Sequence, residues 1–75
     1  MIKEFKTKDL YLASFLFAKE KVLARVDREK NICWFVFKDI NEEMINKFWS
    51  GQAECEAKTF SDAIRTLKDR IFSEK

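Results

Sequence analysis

Two thiols, two carboxylate pairs and one basic–aromatic cluster are the parts of this sequence that bear on chemistry. Cys33 and Cys55 are the nucleophile candidates, but the chain has no His to act as their base or to complete a zinc site. Their spacing is not Cys-x-x-Cys, and Cys33 lies in an apolar run where a free thiol behaves as a small hydrophobe. Glu42 and Glu43 fit the first turn of a helix, where the macrodipole favours anions. Glu54 and Glu56 project from one face of a short extended segment, as the outward charges of an edge strand do. Gly51 is the sole glycine, so no glycine-rich loop can cradle a phosphate. The expectation is a non-enzyme with no catalytic residue, no metal and no cofactor.

Lys21, Arg25, Phe35 and Phe37 form the one set with binding logic. Two rings flanked by two cations on one hairpin face resemble a platform that stacks single-stranded nucleic acid. The competing reading is that a helix covers both rings, because a strand apolar on both faces usually belongs to a covered sheet. Arg65 and Lys68 lie off the apolar stripe of their helix, where a solvated flank explains them. The net charge of +2 announces neither a polyanion nor a membrane ligand, although residues 1–38 carry +4 and residues 39–75 carry −2.

Two cysteines are too few for the disulfide scaffold of a small secreted domain, so the expected compartment is the cytoplasm. Lys3, Lys6 and Lys8 before Leu10–Ala18 superficially resemble a signal peptide. Glu4 and Asp9 interrupt that basic region, however, and Lys19-Glu20-Lys21 closes the stretch without a small-x-small cleavage site. The stretch is also far short of the ~20 residues that span a bilayer. It reads as a core helix, with no membrane partner.

Positioning these residues requires a fold, and 75 residues of which 47% are hydrophobic and 15% aromatic can bury one core. The expected organisation is a single domain over residues 1–75. Ile2–Lys6 reads as a strand with Phe5 inward, and Thr7 as the cap of a helix from Lys8 to Lys19. Val22–Val26 and Ile32–Phe37 read as a hairpin across the polar turn Asp27–Asn31. If Val26 faces Ile32, then Val22, Ala24, Val26, Ile32, Trp34 and Val36 share one face. Lys21, Leu23, Arg25, Cys33, Phe35 and Phe37 share the other.

Asn41 caps a second helix that Gly51 ends, with Met44–Phe48 and Ile45–Trp49 along its buried side. Ala53–Ala57 suits a short edge strand. Thr59 and Asp62 suit a capping pair before the stripe Phe60, Ala63, Ile64, Leu67 and Ile71. The fold class is therefore α+β, in the order β-α-β-β-α-(β)-α, with an antiparallel core sheet and three helices. Trp34, Phe5, Val26, Phe48, Leu67 and Ile64 are the expected core.

The runs Phe5-Lys6-Thr7-Lys8-Asp9-Leu10-Tyr11-Leu12-Ala13, Trp34-Phe35-Val36-Phe37, Phe48-Trp49-Ser50-Gly51 and Ala63-Ile64-Arg65-Thr66-Leu67-Lys68 carry a resemblance. The chain resembles a family of short bacterial and phage proteins classed as a domain of unknown function. The resemblance covers nearly the whole chain, implies a small α+β unit and brings no assigned activity. It departs at Glu20, where members carry a Gly.

The first helix points to a functional class. Leu10, Leu12, Phe15, Leu16 and Phe17 face in nearly all directions at 100° per residue, and such a helix is buried all round. In so small a domain this predicts a protein-interaction module that self-associates as a homodimer through Tyr11, Leu12 and Phe15. A different protein partner is the other covering, and single-stranded nucleic acid is the alternative ligand.

Overall fold

The computed structural model describes residues 2–73, with side chains from residue 3 onward. Its elements are β1 (Ile2–Thr7), α1 (Leu10–Ala18), β2 (Leu23–Glu29), β3 (Ile32–Ile40), α2 (Glu42–Trp49) and α3 (Ala57–Ser73). The strands form one antiparallel sheet in the order β1-β3-β2, so the strand apolar on both faces is central. The α+β class, the antiparallel sheet and the three helices are as the sequence predicts.

The hairpin register differs from the expected one. Lys30 and Asn31 hold φ values of 48° and 71°, the positive pair of a two-residue type I′ turn whose twist matches that of the strands. β2 therefore runs on through Asp27, Arg28 and Glu29, and Glu29 rather than Val26 faces Ile32. The offset of three positions is odd, so Arg25 to Glu29 change face relative to β3, while a bulge between Leu23 and Arg25 keeps Leu23 on the Phe37 face.

Val26 now pairs with Phe35 and Leu23 with Phe37, while Phe5 of β1 flanks Phe37 from the other side. This face carries the helices. Trp34 and Val36 look the other way, beside Arg25, Asp27 and Glu29 of β2 and Lys6 of β1. Beyond Phe37, simple alternation would send Ile40 to that outer face. Asp39 adopts a positive φ of 52° instead, which breaks the alternation, and Ile40 enters the core.

Leu12, Phe15, Leu16, Phe35, Phe37, Ile40 and Leu67 form the buried cluster, with Phe5, Val26, Phe48 and Phe60 packed against it. Two expected core residues are absent from it. Trp34 sits on the outer sheet face because of the register change, and Ile64 lies half-buried at the margin of the α3 stripe.

Asp9, not Thr7, caps α1: its carboxylate accepts from the Tyr11 and Leu12 amides at 2.9 and 3.1 Å. Thr7 ends β1, and its hydroxyl accepts from the Asp9 amide at 3.1 Å. Five consecutive residues of α1, Leu12 to Leu16, are buried, which is possible only if every side of the helix is covered. The buried Ser14 hydroxyl donates to the Leu10 carbonyl, so no polar group is stranded there. The sheet covers one side through Phe35 and Phe37, α3 packs along another, and Phe48 of α2 meets Phe15. The chain thus covers this helix itself, where the sequence pattern alone points to a second molecule.

α1 ends in a Schellman motif. The amides of Glu20 and Lys21 donate to the carbonyls of Phe17 and Leu16 at 3.0 and 3.1 Å. Glu20 takes the left-handed position with φ 63°, where a Cβ costs about 1–2 kcal/mol. Gly loses part of that gain through its freer unfolded chain. Glu20→Gly is expected to raise stability by about 0.5–1 kcal/mol, read as a higher urea midpoint at unchanged slope. A lower midpoint would contradict the assigned conformation.

The connector from Gln52 to Glu56 is not a strand. Its alternating pattern places Ala53 and Cys55 against the core, half-buried, and leaves Glu54 and Glu56 outward, but among the described residues all the strand pairing belongs to β1, β2 and β3. α3 begins two residues earlier than Thr59. The Thr59 hydroxyl donates back to the Glu56 carboxylate at 2.9 Å, and Asp62 pairs with Lys58 at 3.2 Å.

Candidate interaction surface

α2 starts where its sequence says it should. The Asn41 side chain accepts from the Glu43 amide at 2.8 Å, and Glu42 and Glu43 occupy the first turn. The helix ends in a second Schellman motif, with Gly51 at φ 81° and the Gly51 and Gln52 amides donating to Phe48 and Lys47 carbonyls. Between these caps its apolar side is only partly covered. Met44, Ile45 and Phe48 are half-buried, no residue of α2 is fully buried, and Trp49 is 63% exposed. The i,i+4 pairing of Ile45 with Trp49 along a buried face is therefore corrected: the last turn carries Trp49 past the edge of the core.

The rings at this end form a short stack. Phe15 and Phe48 have centroids 5.7 Å apart, and Trp49 meets Phe48 edge-on at 5.1 Å. Beside them is an open hollow of about 240 Å³ lined by Phe15, Phe48, Ala53, Cys55, Ala57 and Phe60. A groove of about 540 Å³ adjoins it through Phe15 and Ala53 and carries Lys19, Lys47 and Glu54. Lys19 Nζ lies 5.9 Å from the Phe15 ring, and Lys47 is 3.6 Å from Glu43. The surface thus combines an exposed indole, an apolar hollow and charges of both signs.

The expected contact residues are placed differently. Tyr11 is 61% exposed, but Leu12 and Phe15 are inside the core and are not presented to a partner. The nucleic-acid platform does not assemble. Phe35 and Phe37 are 1% and 0% exposed beneath the helices, Lys21 is half-buried, and Arg25 lies on the opposite face of the sheet. The register change separates Arg25 from the two rings. Cys33 and Cys55 are half-buried free thiols, and among the described residues no three His, Cys, Asp or Glu side chains gather as a metal would need.

On the outer sheet face Arg25 donates to Glu4 at 3.1 Å and to Asp27 at 3.0 Å, and these hydrogen bonds, Glu4 first, push its pKa above the ordinary guanidinium value. Lys6 contacts Glu29 at 2.8 Å and stands 5.2 Å from the centre of the Trp34 ring. Val36 is buried beneath these long side chains although no helix covers it. Arg65 and Lys68 lie exposed on the outer flank of α3, near half-buried Ile64 and exposed Phe72.

A family model described as a domain of unknown function, DUF5659, matches residues 2–73. The chain belongs to that family. DUF5659 is the unknown-function family that the sequence resembles, and the match spans every element described above. No curated protein and no solved structure gives a match. Among the described residues, no helix is long and apolar enough to cross a membrane.

Proposed function

We propose that this chain is a non-catalytic protein-interaction module that self-associates through the α2 surface. One observation carries the reading: α2 leaves Trp49 63% exposed beside an apolar hollow, while the core beneath is complete. Trp is enriched at the energetic centres of protein contacts, where its large apolar area is removed from water. Closed pairs of identical chains are the commonest soluble assemblies. The cytoplasm is the proposed compartment, supported by two free thiols on a chain this small.

Light scattering over micromolar concentrations tests the reading. The expected mass is near twice the 9.0 kDa of one chain, with Trp49→Glu returning it to the single-chain value. A 9.0 kDa mass for the unaltered protein across that range would end the self-association reading. The single-stranded nucleic-acid alternative draws no support from the geometry, since each cation beside Trp34 is already paired with a carboxylate on the same face.

A further inference from the structure

Resting on that self-association, we infer that two copies pair about a twofold axis by exchanging Trp49, each indole entering the other copy's Phe15–Phe48–Cys55–Phe60 hollow. Knob and hole are neighbours on one patch: Trp49 touches Phe48 at 5.1 Å, and Phe48 is a wall of the hollow. A twofold contact requires that residue i meet j while j meets i, and adjacent knob and hole meet that condition. A knob on a different face from its hole would instead make a heterologous contact, which builds a ring or an open chain.

Size selects the same occupant. At about 240 Å³ the hollow falls below the ~300–1,000 Å³ of small-molecule sites and suits a single aromatic side chain. Its lining is carbon-rich, and the Cys55 thiol is a polarizable neighbour for an aromatic ring.

Charge selects a second copy over a partner of one sign. The adjoining groove carries Lys19 and Lys47 together with Glu54, and Glu43 lies beside Lys47. A strongly acidic or basic partner would meet its own sign there. A twofold mate presents both signs in return, so the Lys47 side of one copy can face the Glu54 side of the other. A stable pair buries about 800 Å² per partner, roughly a seventh of the 5286 Å² surface of this chain. The contact must therefore take in the groove as well as the hollow.

Sedimentation equilibrium of the full chain, made as Trp34→Phe so that Trp49 is the only indole, is the test. The expected result is a dimer whose Trp49 emission shifts to the blue as concentration rises through the dissociation constant. Trp49→Ala and Ala57→Phe, which fills the hollow from an exposed position at the start of α3, are each expected to weaken the dimer at least tenfold. Circular dichroism identical to the parent shows that both variants fold. A dimer unmoved by either variant overturns the exchange but leaves self-association standing. A single-chain mass at all concentrations removes both.

Discussion

Phe37→Ala is expected to remove about 3–5 kcal/mol of stability, whereas Trp34→Ala, three residues earlier on the same strand, should remove only about 1–2 kcal/mol. Phe37 has no exposed surface and sits between Leu23 and Phe5, under α1. Truncating it loses the transfer energy of the ring and leaves a cavity in the buried cluster. A chain of this length has about 4–11 kcal/mol in total, at ~0.05–0.15 per residue, so the loss is a large fraction. Trp34 is half-buried on the outer face, and its truncation gives up contact with Lys6 without opening the core. Urea denaturation of the two variants gives the comparison directly. Equal losses, or a larger one for Trp34, would mean that the hairpin pairs Val26 with Ile32 after all.

That pair of substitutions marks the boundary of what the sequence discloses. Local signals were readable: Asn41 and Gly51 bracket α2, and Phe60, Ala63, Leu67 and Ile71 repeat along α3 at the spacing of a packed helix face. β3 reads as central because both its faces are apolar, which is a property of one strand alone. The hairpin register was not readable for a physical reason. A β-turn of type I′ is usually announced by Asn-Gly, and here Lys30-Asn31 supplies the two positive φ values instead. Asp27, Arg28 and Glu29 look like loop residues, yet edge-strand positions are polar whenever they face water or ion pairs.

What covers α1 is illegible on another ground. Periodicity showed correctly that the helix is buried all round but not by what, because covering it takes the sheet, α2 and α3 together. The exposed Trp49 is the counterpart. An apolar residue at the last turn of an amphipathic helix is indistinguishable in sequence from one over the core, and only the length of the covered stretch separates them.

Phe15→Glu is expected to unfold the chain at neutral pH, while Tyr11→Glu, one turn earlier on the same helix, should leave stability within about 0.5 kcal/mol. Phe15 is 5% exposed and faces Phe48 at 5.7 Å among apolar side chains. Losing the ring alone costs about 3–5 kcal/mol. The carboxylate adds a desolvation penalty, and each unit by which burial raises its pKa corresponds to ~1.4 kcal/mol. Together these approach or exceed the whole stability of the domain.

Lys19 Nζ, 5.9 Å from the Phe15 ring, is an exposed cation at the solvent end of the site and offsets little of this. The pH dependence follows in sign. The buried acid has a folded-state pKa raised above the ~4.3 of an unfolded Glu. Below that pH it is neutral in both states and only the packing loss remains. As pH rises above it the unfolded state ionises first, and stability falls. Far-UV circular dichroism should therefore show more helix in Phe15→Glu at pH 4 than at pH 7, with Tyr11→Glu unchanged between them. Retention of full structure by Phe15→Glu at pH 7 would place Phe15 at the surface and return α1 to the list of free faces. With Phe15 inside, a loss of dimer in that variant would report unfolding, which is why Trp49 is the residue on which self-association has to be tested.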